Sequence, residues 1–330
     1  MKKKNSILFQ NLIFCAAAVL VYLLIAYGMS ASMIPRATQT LVIKACYNVI
    51  LALSLNLIVG FLGELSLGHA GFFALGAYSG CIFSINSNLP VEIRFIVAAL
   101  IGGTVAAIGG FLISSSILRL QGDYLAIVTL AFGEIIRSFV KILPITGGTA
   151  GLNGIPSLGS KVKTFSFSYL FVIITILVIR NIVTSRHGRA ITSIRDNAIA
   201  AESVGINIKG YKIKVFAVGA FFAGVAGVIM GHYINFIEPG NFNYNISIEV
   251  LVMVVLGGMG NLLGSIIAAV IITFLPEILR DFDQYRLLIY ALALIFLMLA
   301  SASPRIAALR MKASEKTAHL RRKVLSRKGE

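Results

Sequence analysis

Few residues in this chain could do chemistry, and most of those interrupt long apolar runs. Glu134 and Arg137 stand three apart in YLAIVTLAFGEIIR, on one face of a helix where they can pair. Such a pair is either a structural bridge or the lining of a gate. Glu64 and His69 sit at a break in another apolar run, and their unequal helical phase argues against a fixed pair. Glu64 is expected near an interface, where its cost is small, and Glu249 opens a further run, also near an interface. At the centre of a bilayer an ionisable group costs about 2.5–3.5 kcal/mol or more, so each one asks for a reason. Asn56 and Asn261 are expected to hydrogen-bond between helices.

Enzymatic signatures are missing from the sequence. There is no GxxxxGK[ST] phosphate loop, no HExxH and no GxSxG. His69, His187, His232 and His319 are scattered. Cys15, Cys46 and Cys81 fall in apolar runs without CxxC spacing, which reads as buried free thiols with neither zinc nor a disulfide framework. No catalytic, metal or cofactor site is expected in this chain.

The sizeable polar loop, 185–214, reads SRHGRAITSIRDNAIAAESVGINIKGYKIK. Ser193 and Asp196 form an S-x-x-D capping box, and Gly205 can stop the helix that follows. Ile194, Ala198, Ala201 and Gly205 make a shallow apolar stripe, while Arg195, Asp196 and Glu202 project elsewhere. A short helix of this kind either docks into a groove of another protein or packs on its own bundle.

The elements that must hold these residues follow from composition. Of 330 residues, 58% are hydrophobic and 13% charged, with a mean hydropathy of +0.90. A soluble chain averages about 45–50% apolar and about 25% charged. That balance excludes a soluble enzyme and a disordered chain, and leaves an all-α, polytopic membrane helix bundle. At about 20 apolar residues per crossing, ten spans are expected near 7–28, 41–62, 66–86, 94–118, 123–143, 167–184, 211–234, 247–263, 264–280 and 286–302, with eight as the alternative. The run 247–280 is broken by Gly257-Gly258-Met259-Gly260-Asn261, which makes it two short helices joined by a tight turn, or a re-entrant element. Gly63-Glu64 splits 41–86 in the same way. The apolar stretch Leu12 to Tyr27 behind Lys2, Lys3 and Lys4 reads as a retained first helix rather than a cleaved signal.

The net charge of +16 is concentrated at the ends, with nine Lys or Arg against two Glu in 304–330. Basic ends beside apolar spans fit the positive-inside bias and argue against a nucleic-acid partner. Cytosolic termini place nineteen Lys and Arg inside against six outside. The expected organisation is a transmembrane domain over 1–303, with a cytosolic loop at 185–214, and a basic cytosolic tail over 304–330. Small residues four apart let helices approach closely, as in Gly219, Ala223, Gly227 and Gly231, in Gly68, Gly76 and Gly80, and in Gly102, Ala106 and Gly110.

Several segments resemble one family. Ala200-Ala201-Glu202-Ser203-Val204-Gly205 resembles the cytosolic coupling element of ABC importer permeases. Gly63-Glu64-Leu65-Ser66-Leu67-Gly68-His69 is similar to the G-Q-x-S-L-G-H signature, with Glu64 where the family more often has Gln. Tyr124 to Arg137 with Thr146-Gly147-Gly148, and Ser247-Ile248-Glu249 through Gly257-Gly258-Met259-Gly260, resemble two further blocks, in family order. The pattern is that of the M-type permease subunits of branched-chain amino-acid ABC importers.

This resemblance implies a homologous H-type permease as partner, two ATP-binding subunits on the cytosolic side, and an extracytoplasmic solute-binding protein, all around a multi-pass chain in the plasma (inner) membrane. ATP would be used by the partner subunits only. Coupling to them would fall to Arg195, Asp196, Ala201, Glu202 and Gly205. The translocation path or gate would involve Glu64, Ser66, His69, Glu134, Thr146, Gly147, Gly148, Glu249, Gly257 and Gly258. Similar permeases serve urea, amides and other amino acids, and a stand-alone secondary transporter is the rival reading.

Overall fold

The computed structural model describes residues 19–31, 33–117, 120, 122–279, 291–292 and 295. The chain divides into two units, Met1–Phe274 and Leu275–Glu330. The first holds the helix bundle. Its elements are α1 (Val19–Ser30), α2 (Arg36–Asn56, continued by a π-helical turn over Leu57–Leu62), α3 (His69–Asn86), α4 (Val91–Ile117) and α5 (Asp123–Ile142). There follow α6 (Lys161–Thr184), α7 (Arg186–Asp196), α8 (Ala198–Ser203), α9 (Ile208–Ile234), α10 (Tyr244–Gly257) and α11 (Leu262–Ile278), the last of which runs on into the second unit.

Capping chemistry sets several boundaries. Pro35 precedes the first turn of α2, where its missing N–H costs nothing. The Ser160 hydroxyl accepts from Val162 N and starts α6 six residues ahead of the expected 167. Asn207 does the same for α9 by accepting from Gly210 N at 2.9 Å. The capping box expected at Ser193 and Asp196 is not used, because both lie in the last turn of α7. Ser185 caps α7 and Asn197 caps α8, so the loop carries two helices rather than one. The fold is also not purely helical: β1 (Leu152–Asn153) pairs antiparallel with β2 (Phe236–Ile237).

Among the described residues, Arg36–Leu62, Val91–Ile117, Lys161–Thr184 and Ile208–Ile234 are long and apolar enough to cross a membrane. The 14 residues of α10 and 17 of α11 reach about 21 and 26 Å, short of a hydrocarbon core of about 30 Å. The expected break at 257–261 is present as a tight turn between them, and so is the break at Gly63-Glu64. Spans expected at 7–28 and 286–302 fall largely outside the described residues, and the tail 304–330 and Cys15 fall wholly outside. Cys46 and Cys81 are buried free thiols.

The centre of the bundle is α3, α4 and α9, packed through the small-residue stripes. Gly76 meets Gly224 backbone to backbone. A Cβ at Gly224 would meet the Gly102 carbonyl oxygen at 2.6 Å and the Ala106 Cβ at 2.6 Å. Around this centre α2 packs on α6 and α9, α5 on α3, and α10 on α2 and α3. Gly224→Leu forces these backbones apart and is expected to destabilise the bundle by about 1–3 kcal/mol or more. Thermal unfolding in detergent checks this, with Ile108→Leu on the exposed face of α4 as the unaffected control.

Candidate functional site

The end of α2 is where the polar residues converge. The carbonyls at a helix terminus have no intrahelical donor, and buried carbonyls need one. At this terminus the chain passes through the π-helical turn and stops at Gly63, whose φ is +81°. Gly60 lies within the turn, and there the backbone of the α10–α11 turn comes against α2 so closely that a Cβ would strike Asn56 and the Gly260 nitrogen.

Asn56 joins the two segments. Fully buried, it donates through Nδ2 to Asn261 O at 3.2 Å and to Ser265 Oγ at 3.0 Å, and accepts from Gly260 N at 2.9 Å. The interhelical role expected of Asn56 is therefore present, whereas Asn261 contributes only its backbone carbonyl there and its side chain accepts from Gly264 N at the start of α11. Gly257 and Gly258 fall in the same turn, where the Gly257 and Gly264 backbones approach too closely to admit a side chain.

The polar loop grips this assembly at two points. From α7, Arg195 Nη1 donates to Gly60 O at 3.0 Å, while Asp196 Oδ1 accepts from Arg195 Nε and Nη2 at 3.1 and 3.0 Å and holds the fork. From the first turns of α9, Lys212 forms an ion pair with Glu64, and both residues are buried. Glu64, expected to be cheap because it is close to solvent at an interface, is instead buried in the protein. It is withdrawn from solvent and charge-compensated by a residue 148 positions away, which the local pattern does not reveal.

The start of α3 adds further bonds. Leu67 N donates to Thr129 Oγ1 at 3.0 Å and Ala70 N to Ser247 Oγ at 2.9 Å, so α5 and α10 supply acceptors to this turn. His69 shares a hydrogen bond of 2.7 Å with Ser54, not with Glu64. Ser66 Oγ is buried with no partner among the described residues.

The loop stripe is turned inward. Ile194 and Ala201 are buried against the chain's own bundle, whereas Ile199 and Val204 are 82% and 75% exposed, beside exposed Glu202. Gly205 stops α8 as expected, at φ +86°, with Gly205 N donating to Glu202 O and Ile206 N to Ala201 O, a Schellman arrangement.

The remaining site candidates lie elsewhere. Glu134 and Arg137 pair at 2.8 Å on the partly exposed face of α5. Thr146 is buried and donates to the carbonyls of Val140 and Leu143 at 2.6 Å, closing the end of α5, with Gly147 and Gly148 in left-handed turns behind it. Glu249 lines a cavity beside the middle of α2, against Lys44, Tyr47, Asn48 and Leu51.

Residues 37–302 match the family described as "Branched-chain amino acid transport system / permease component". The chain belongs to this family. It is 34% identical over 298 residues to the LivM permease protein of the high-affinity branched-chain amino acid transport system of Escherichia coli K12, covering 81% of this chain and 69% of that protein. It is 27% identical over 273 residues to the ribose import permease protein RbsC of Haemophilus influenzae, covering 77% and 81%. With the LivH permease protein of E. coli K12 the identity is 24% over 271 residues, covering 74% and 87%. No solved structure matches the chain.

In this permease Glu64 is a carboxylate that has its own buried counter-ion. Removing one member of a buried pair strands the other charge, at about 3–5 kcal/mol. Lys212→Met and Glu64→Gln are each expected to lower the unfolding temperature. The double variant Glu64→Gln/Lys212→Met should recover most of the loss, which a double-mutant cycle of melting temperatures reads directly.

Proposed function

We propose that this permease is the membrane-spanning half of an ATP-driven importer of branched-chain amino acids, working beside a homologous H-type permease. The family match and the role of the LivM relatives support the substrate class, and the LivH relative supports a paired arrangement. Two ATP-binding subunits dock on the cytosolic side of the permease pair, one of them on the α7–α8 face of this chain, and a solute-binding protein delivers substrate on the opposite side. The chain itself binds no nucleotide, and its termini lie in the cytosol.

The observation that carries the coupling step is the Arg195 bond to Gly60 O. Through it, a displacement of α7 acts on the end of α2, and through Asn56 on the α10–α11 turn. Lys212 ties the other side of the loop to Glu64. A partner that binds the two arrangements of α8 unequally thereby biases the whole bundle, which is all that alternating access requires. The exposed patch of Ile199, Glu202 and Val204 is the surface offered to the ATP-binding subunit.

The partner permease covers α5. Its outward face carries Ile127, Ile135 and Phe139 beside the Glu134–Arg137 pair. An ion pair facing lipid is costly, so a protein neighbour or a water-lined path belongs there.

Glu202→Lys, or Gly205→Val at a φ a branched side chain resists, is expected to uncouple ATP hydrolysis from uptake while the chain still inserts. Uptake of labelled leucine alongside phosphate release in the reconstituted complex measures this. Unchanged ATP-dependent uptake in both variants refutes the coupling assignment.

A further inference from the structure

Lys44 and Glu249 take no part in the transmission cluster, yet both stand in helices of the bundle. They line one cavity of about 310 Å³ among α2, α3, α9 and α10. Lys44, Tyr47, Asn48 and Leu51 recur at helical spacing and form one face of α2. Glu249 and Val250 come from α10. Along α2 the cavity runs from Leu51 to Lys44, about 14 to 24 Å from Gly60, so it lies beside the middle of that helix, away from the coupling loop.

The two charges differ from the buried Glu64–Lys212 pair in one respect. Among the described residues neither is in an ion pair, although both border the same space. Asn243 lines the cavity as well, and its Oδ1 is buried without a partner among the described residues. The rest of the wall includes Leu51, Phe73, Met230 and Val250.

We propose that this cavity is the transit site for a free α-amino acid, whose carboxylate meets Lys44 and whose ammonium group meets Glu249. The aliphatic side chain then lies on Phe73 and Met230. This assignment rests on the importer reading above. A zwitterion answers both wall charges at once and remains neutral overall, whereas an ion of either sign answers one and repels the other. A neutral solute answers neither, so the charges act as a filter by electrostatic complementarity. The volume is at the small end of ligand pockets, roughly 300–1,000 Å³, as suits a ligand of this size. Retention must also be weak, because a transit site has to release what it admits.

The test uses the complete complex in proteoliposomes, with leucine-loaded binding protein in excess. The ATP hydrolysed per leucine imported is compared for the native chain, Lys44→Met, Glu249→Gln and the exchanged pair Lys44→Glu/Glu249→Lys. Each single variant is expected to raise that ratio by roughly ten-fold or more, as loss of one partner of a charge pair does, and the exchanged pair should recover part of it. Saturation-transfer NMR on the same complex without binding protein should show leucine contact that both single variants lose. Singles that keep the native ratio and the NMR contact overturn the site. So does a loss of uptake matched by an equal loss of ATP hydrolysis, since that marks a purely structural role. If the native complex itself fails to import leucine with ATP, the importer reading fails instead.

Discussion

A helix that ends among apolar neighbours leaves carbonyl groups that water cannot reach. At the end of α2 this need is met by residues distant in sequence. Arg195 supplies a donor to Gly60, and Asn56 ties the same turn to the α10–α11 turn. The Glu64–Lys212 pair closes the other side. Loss of these bonds would leave the buried Gly60 carbonyl, Asn56 amide or Glu64–Lys212 partner short of a polar contact, so they tie the polar loop to the helix break. What moves, on this account, is the joint as a whole relative to the partner subunits.

The two functional regions are joined by the same long rods. α2 carries Lys44 toward its middle and Gly60 near its end, and α9 runs from Lys212 to Met230 over about 27 Å. α9 is also the element against which α3 and α4 pack most closely, through Gly224. On the coupling reading proposed above, a shift at the α7–α8 loop is delivered to the walls of the cavity by helices that are buried over most of their length. The ribbon of β1 and β2 holds the glycine-rich segment after α5 against the chain that enters α10. That segment is thus clasped at the cavity end.

Much of this was legible in the sequence. The long spans follow from apolar runs, the tight α3–α4–α9 packing from small residues at intervals of four, and the stop of α8 from Gly205. The interhelical bonds of Asn56 followed from the expense of leaving an amide unpaired, while Asn261 turns its side chain to the start of α11. What local pattern could not reveal was pairing at long separation. Glu64 looked interfacial because nothing near it in sequence announced Lys212. The stripe of Ile194 and Ala201 was equally compatible with a foreign groove and with the chain's own bundle, and burial resolves it inward, leaving Ile199 and Val204 outside. The Ser193–Asp196 box was a correct residue pattern in the wrong place, outcompeted by Ser185 and Asn197. The π-helical turn had no marker beyond Gly60 and Gly63.

The claim that the loop and the break move as one body is tested most directly by the separation of two spin labels, one at Arg189 on α7 and one at Met259 in the α10–α11 turn. Pulsed electron resonance on the full complex, nucleotide-free and trapped with ATP, should give one narrow distance that stays the same in both states, and Arg195→Met should broaden it. A native distance that changes between the two states would contradict the account.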